Sequence, residues 1–192
     1  VTVTDVNTCV NLDSMTVNID TLPIPVVSND TAICFNDAAL LSAAGGTSYQ
    51  WSPTTTLDNA TSATPIATPD NSITYMVTVT DGNTCSDTAS VFVEVYPLPN
   101  ADAGLDTAIC INDDAMLTAT GGTGYVWSTG DVVANITVSP IVTTEYFVTV
   151  TDANTCSQLD SVTVNVNLLP VVDAGNDQTI CNGESVQIGG AP

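Results

Sequence analysis

The chain has 192 residues, with 21 Asp plus Glu, no Lys, no Arg and no His, and so a formal charge of −21 at neutral pH. With no cationic side chain nothing can neutralise a phosphate, which excludes nucleic acid and anionic lipid as partners. The carboxylates must be solvated or bridged by metal ions. Apolar residues make up 44% of the chain and mean hydropathy is +0.27, so the charge sits on a sequence that can still build a core.

The chain starts on Val1-Thr-Val-Thr4, an alternating run that reads as mid-strand. We expect residues 1–22 to be the C-terminal part (strands F and G) of a preceding repeat, in an excerpt of something longer. Self-comparison supports a repeat. Val3-Thr-Asp-Val-Asn-Thr-Cys9 returns as Val79-Thr-Asp-Gly-Asn-Thr-Cys85 and as Val150-Thr-Asp-Ala-Asn-Thr-Cys156, at offsets of 76 and 71 residues. Thr31-Ala-Ile-Cys34 returns as Thr107-Ala-Ile-Cys110 and Thr179-Ile-Cys181, and Gly45-Gly-Thr-Ser-Tyr-Gln-Trp-Ser52 as Gly121-Gly-Thr-Gly-Tyr-Val-Trp-Ser128. Two complete repeats therefore occupy residues 23–97 and 98–168, and residues 169–192 are the N-terminal part (strands A and B) of a following one. Proline marks each joint, at Leu22-Pro-Ile-Pro25, Tyr96-Pro-Leu-Pro99 and Leu169-Pro170, which suits short, stiff linkers.

Within the repeat at 23–97, Thr31–Cys34 is expected to end strand A, Ala38–Ala43 to form B, Tyr49–Ser52 C, Tyr75–Thr80 F and Thr88–Val95 G. The evidence is period two. Tyr75, Val77 and Val79 share one parity and Thr78 and Thr80 the other; Val91, Val93 and Val95 alternate with Glu94. The repeat at 98–168 follows suit with Tyr146, Val148 and Val150, then Val162, Val164 and Val166. Leu41, Leu117 and Ile188 occupy one inward position, with Gln187 showing the outward parity. Trp51 and Trp127 fall on strand C, where such sandwiches bury an aromatic. The fold class is all-β: tandem Ig-like β-sandwich repeats of about 71–76 residues, arranged end to end.

Chemistry is sparse. Without His, Lys or Arg the common bases and oxyanion clamps are missing. Glu94, Glu145 and Glu184, the only glutamates, lie at unrelated positions of the repeats, so no enzyme is expected. The six cysteines lack the spacing of a zinc site and fit disulfides of an oxidising compartment. In an Ig-like order Cys34 ends strand A at one pole and Cys85 opens strand G at the other, which disfavours a bond between them. End-to-end stacking instead favours an inter-repeat pair, Cys34 with Cys156, leaving Cys9, Cys85, Cys110 and Cys181 for repeats outside the excerpt. Two alternatives stay open: pairs 34–85 and 110–156, or pairs 9–34, 85–110 and 156–181. Oxygen ligands near the joints, Asp37, Asp102, Asp106, Asp152 and Asn154, make calcium the candidate cofactor, set against their ordinary use in turns.

The runs Ala101-Asp-Ala-Gly-Leu-Asp, Ile-Cys, Gly-Gly-x-x-Tyr-x-Trp-Ser and Tyr-Phe-Val-Thr-Val-Thr-Asp-Ala-Asn-Thr-Cys resemble the PKD-like and Ig-like repeats of giant secreted surface proteins of the Bacteroidota. The chain departs from their commonest pattern in carrying Asn-Thr-Cys rather than Asn-Gly-Cys and in having no basic residue. The resemblance implies type IX secretion to the extracellular cell surface and a structural or adhesive filament or stalk. It also implies O-glycosylation at Asp-(Ser/Thr)-apolar triplets, at Ser14, Thr21, Thr31, Thr88, Thr107 and Ser161; strand composition alone also generates such triplets. Expected partners are further copies of the repeat, lateral self-association into fibres, and glycans or surfaces. The second reading is a glycan- or surface-binding module attached to a secreted enzyme, for which Tyr49 and Tyr125 are the only candidate platform; the Tyr-x-Trp parity buries them.

Overall fold

The computed structural model describes residues 1–173 and 175–186, and every regular element among them is a β-strand. The inward position expected for Ile188 and the outward one for Gln187 lie outside the described residues. The chain divides into two compact units, Val1–Pro97 and Leu98–Pro192.

The first unit opens with a hairpin, β1 (Thr2–Thr4) antiparallel to β2 (Val10–Leu12), whose side chains are all exposed. A sandwich follows, built from β3 (Val26–Val27), β4 (Thr31–Cys34), β5 (Ala39–Leu40), β6 (Ala43–Ala44), β7 (Ser48–Ser52), β8 (Ile66–Ala67), β9 (Ile73–Thr80) and β10 (Ser86–Tyr96). One layer is a four-stranded sheet in the order β4-β10-β9-β7; the other consists of the pairs β3–β6 and β5–β8. The second unit repeats the scheme with β11 (Thr107–Cys110), β12 (Ala115–Thr118), β13 (Gly124–Trp127), β14 (Asn135–Val138), β15 (Thr144–Thr151) and β16 (Ser157–Asn167). Its sheet runs β11-β16-β15-β13, with β12–β14 opposite and an Asp102–Thr120 bridge in the place of β3–β6. In each unit strands A and B, with β8 or β14, thus face C, F and G, the Ig-like sandwich.

Strand A differs from the sequence expectation, because it is split between the layers. Val26–Val27 pairs antiparallel with Ala43–Ala44, whereas Thr31–Cys34 crosses over and runs parallel to the last strand, Thr31 against Val93 and Cys34 against Tyr96. The crossing is pinned on both sides. The Ser28 backbone N–H donates to the Ser42 carbonyl at 3.0 Å, and the Asp30 carboxylate accepts the Phe92 N–H at 2.8 Å. In the second unit Asp106 accepts the Thr163 N–H at 2.8 Å in the same way.

Each unit has its own core. In the first, Leu41, Trp51, Tyr75, Val77, Val79, Val91 and Val93 are fully buried. In the second, Leu117, Trp127, Val148, Val150, Val162 and Val164 take the corresponding places. Both indoles are satisfied: Trp51 Nε1 donates to the Ser62 carbonyl and Trp127 Nε1 to the Val133 carbonyl, each at 3.0 Å. The expected parity weakens at Val95 and Val166, half-buried near the ends of β10 and β16, and at Tyr146, half-buried where Tyr75 is fully covered. The connection at 53–65 supplies the cover, packing Leu57 and Ala60 on the core and bonding the Thr56 and Tyr75 hydroxyls. The corresponding connection at 128–134 is shorter, which accounts for most of the difference in repeat length.

The Gly-Gly marker also has a packing reason. Gly45 and Gly121 have φ of +101° and +99°, and a Cβ at either would strike the carbonyl oxygen of Ile24 or Asn100. Only glycine lets the chain leave strand B this close to the start of the unit.

Candidate functional site

The recurring Asp-x-Asn-Thr-Cys segment is a tight turn that delivers a cysteine to the start of the last strand. Between β9 and β10 the Asp81 carboxylate accepts the N–H groups of Asn83 and Cys85, both at 2.9 Å, while the Asp81 N–H donates to the Cys85 carbonyl at 3.0 Å. Asp152 holds Asn154 and Cys156 at 2.8 and 2.9 Å, and Asp5 holds Asn7 and Cys9 at 2.8 and 2.9 Å. An aspartate at the head of a turn offers its carboxylate to the backbone two residues on, so this residue type suits the position.

The turn carries strain. Thr8, Thr84 and Thr155 adopt φ of 64°, 68° and 68°, a region that costs a β-branched residue about 1–2 kcal/mol. Replacing Thr84 by Gly relieves the strain but adds unfolded-state entropy worth about 0.5–1 kcal/mol. We therefore expect Thr84→Gly to stabilise its unit by about 0.5–1 kcal/mol net, read as a raised thermal midpoint. A lowered midpoint would show that the threonine side chain makes a compensating contact.

The second cysteine position lies at the other end of the sheet. Cys34 closes β4 beside Tyr96, the final residue of β10, and Cys110 closes β11 beside Asn167, the final residue of β16. Asn36 and Asn112, at φ of 72° and 73°, turn the chain immediately afterwards; asparagine tolerates that region. Cys85 immediately precedes β10, whose 11 residues span about 35 Å. A disulfide needs Cα atoms about 6 Å apart, so Cys34 and Cys85 of the first unit cannot meet. Cys34 and Cys156 are each disulfide-bonded, whereas Cys9, Cys85, Cys110 and Cys181 are free thiols. Neither alternative connectivity is made, because every one of its pairs needs a cysteine that is free. Desolvation, then the nearby carboxylates of Asp81 and Asp20, push the Cys85 thiol above its ordinary pKa. It stays protonated at neutral pH and is a poor nucleophile.

The carboxylates considered for calcium are engaged separately. Asp102 accepts the Gly104 N–H at 2.8 Å, Asp106 the Thr163 N–H at 2.8 Å, and Asp152 forms the turn with Asn154. Asp37 is exposed after β4, its backbone N–H bonded to the Cys34 carbonyl at 2.9 Å. Asp106 bonds at Thr163, whereas Asp152 follows Thr151, the partner of Ser157, about 20 Å away along β16. Among the described residues no three His, Cys, Asp or Glu side chains gather as a metal ion requires.

Of the six hydroxyls in Asp-(Ser/Thr)-apolar triplets, Ser14, Thr21, Thr31 and Thr88 are exposed, while Thr107 and Ser161 are half-buried. The Ser161 hydroxyl donates to Glu145 at 2.9 Å. Three of the preceding aspartates have structural work that sequence reading missed: Asp30 and Asp106 anchor the crossed strand, and Asp160 accepts the Ala103 N–H at 2.8 Å. The signal was present, since Asp30 and Asp106 both precede Thr-Ala-Ile-Cys. Tyr49 and Tyr125 are half-buried and donate to the carbonyls of Gly46 at 3.1 Å and Gly122 at 2.8 Å. They brace the glycine turn rather than forming a platform.

No protein-family model matches the chain, and no curated protein does so. Among solved structures it is similar to the insect immune protein hemolin at 17% identity and a TM-score of 0.42, covering 76% of this chain and 47% of hemolin. It is similar also to the extracellular domains 3–5 of Drosophila OTK, at 10% identity and a TM-score of 0.42 over 75% of this chain and 62% of that one. Sidekick-1 immunoglobulin domains 1–5 give 12% identity and a TM-score of 0.34 over 76% of this chain and 40% of that one. The chain thus spans about half the length of hemolin.

Proposed function

We propose that this chain is a run of stacked Ig-like repeats in an extracellular structural or adhesive filament, displayed on a bacterial surface of the Bacteroidota kind and serving as spacer or stalk. The observation that carries this reading is the placement of two cysteine positions at opposite ends of one repeated sandwich, with only Cys34 and Cys156 bonded. A cysteine at each end has no use inside its own unit and suits a bond from one repeat to the next. We assign the bond as Cys34–Cys156, with repeats at 23–97 and 98–168 between fragments of two others. The function is mechanical: proline linkers and a covalent staple resist bending, and the unopposed negative charge limits which surfaces of neighbouring threads can approach.

Peptide mapping tests the staple. Trypsin has no Lys or Arg to cut, so the unreduced protein is digested with pepsin at low pH, where thiolate-driven exchange is slow. A crosslinked peptide holding both Cys34 and Cys156 is expected. Recovery of either residue in another pairing removes the staple, and with it the reading.

A further inference from the structure

The carboxylates are unevenly distributed. Among the described strands they occur only at Asp87, Glu94, Glu145 and Asp160. Asp87 and Asp160 pair with Val79 and Val148, on the core-facing parity. The solvent face of each four-stranded sheet therefore presents a single carboxylate, Glu94 in the first unit and Glu145 in the second. Across β7, β9 and β10 the register sets Gln50, Thr78 and Thr88 in one row and Ser52, Met76 and Ser90 in the next. The second of these rows lines a groove of about 500 Å³. Exposed apolar side chains interrupt the hydroxyls on the same face of both units: Met76 and Phe92 in the first, Val126, Phe147 and Leu159 in the second. Depletion of charge together with methionine and aromatic residues is the composition of an interface centre.

The charge decides the occupant. A cationic partner would dock where the carboxylates are, in the turns. A second copy carries the same charge of −21 and no cation, so it can approach closely only where carboxylates are missing from both surfaces. We propose that two copies of this chain associate laterally through the solvent faces of their four-stranded sheets. This deepens the filament reading and rests on it for its biological meaning. Three strands about 4.8 Å apart and about 27 Å long offer roughly 400 Å² per copy in each unit. Two such faces together bury about 800 Å², short of the roughly 1,200–2,000 Å² of stable complexes. One contact is therefore weak, and the association strengthens as repeats are added.

Sedimentation equilibrium of the whole chain, its free thiols first capped with iodoacetamide, tests this. In about 0.5 M NaCl, where screening shortens charge repulsion to a few ångströms, the weight-average mass should rise with concentration toward the dimer by roughly 1 mM. In about 10 mM NaCl it should stay monomeric. Met76→Asp with Leu159→Asp should weaken the high-salt association about tenfold or more, and the isosteric Gln50→Glu should weaken it measurably. Thr68→Asp with Thr137→Asp adds the same charge at exposed positions away from these faces and should leave it within about twofold. A mass that stays monomeric in high salt overturns the proposal, as does an equal loss in the control variant. Either result would leave a Cys34–Cys156 crosslinked peptide, and so the filament reading, untouched.

Discussion

Trp51→Ala is expected to strip the first unit of much of its stability and leave the second unchanged. Trp51 is fully buried at the centre of a core formed by Leu41, Tyr75, Val77, Val79, Val91 and Val93, and its indole N–H is bonded to Ser62. Truncating a buried tryptophan removes its transfer energy, leaves a cavity and orphans the Ser62 carbonyl, about 3–5 kcal/mol in all. A sandwich of roughly 75 residues has total stability of about 4–11 kcal/mol, so the loss takes much of what the unit has. The second core contains none of these residues, and effects at separate sites add independently. The chain has 2 tryptophans, so in Trp51→Ala the fluorescence of Trp127 reports the second unit alone. In urea, far-ultraviolet dichroism should show an early transition that this fluorescence does not follow. Coincident loss of both signals, or a destabilisation below about 1 kcal/mol, would show that the two cores do not act separately.

Acid should drive the chains together. Asp and Glu titrate near pH 4 in reference peptides, and 21 such groups face no Lys, Arg or His. At neutral pH and low salt repulsion between copies keeps them dispersed, and acid removes that charge as the carboxylates take up protons. No sizeable positive charge can replace it, because the chain has no basic side chain and its N-terminal ammonium is the one cation left. Exposed strand edges and the neutral sheet faces then meet without repulsion. Light scattering should rise steeply between about pH 5 and 3 and should not fall again at lower pH. A flat trace would mean that something other than carboxylate charge separates the chains, and redissolution at pH 2 would be equally damaging.

The repeats, the β class and the parity of the core were settled by sequence, because period two and recurrence are local properties of the chain. Val77 and Val79, Val148 and Val150, and both tryptophans are buried where alternation puts them. The crossing of Thr31–Cys34 to run parallel to the last strand was not legible. It depends on a bond between Asp30 and Phe92, 62 residues apart in sequence, and no local pattern records which distant N–H an aspartate will reach. The same holds for the carboxylates near the joints. Their spacing could suggest a shared cation, but folding turned Asp102, Asp106 and Asp152 each to a separate backbone amide, since a buried or turn N–H must find an acceptor. Tyr146 remains half-exposed for a related reason: alternation sets the face a side chain points to, while its cover comes from whichever connection lies over it, and the second unit's is too short.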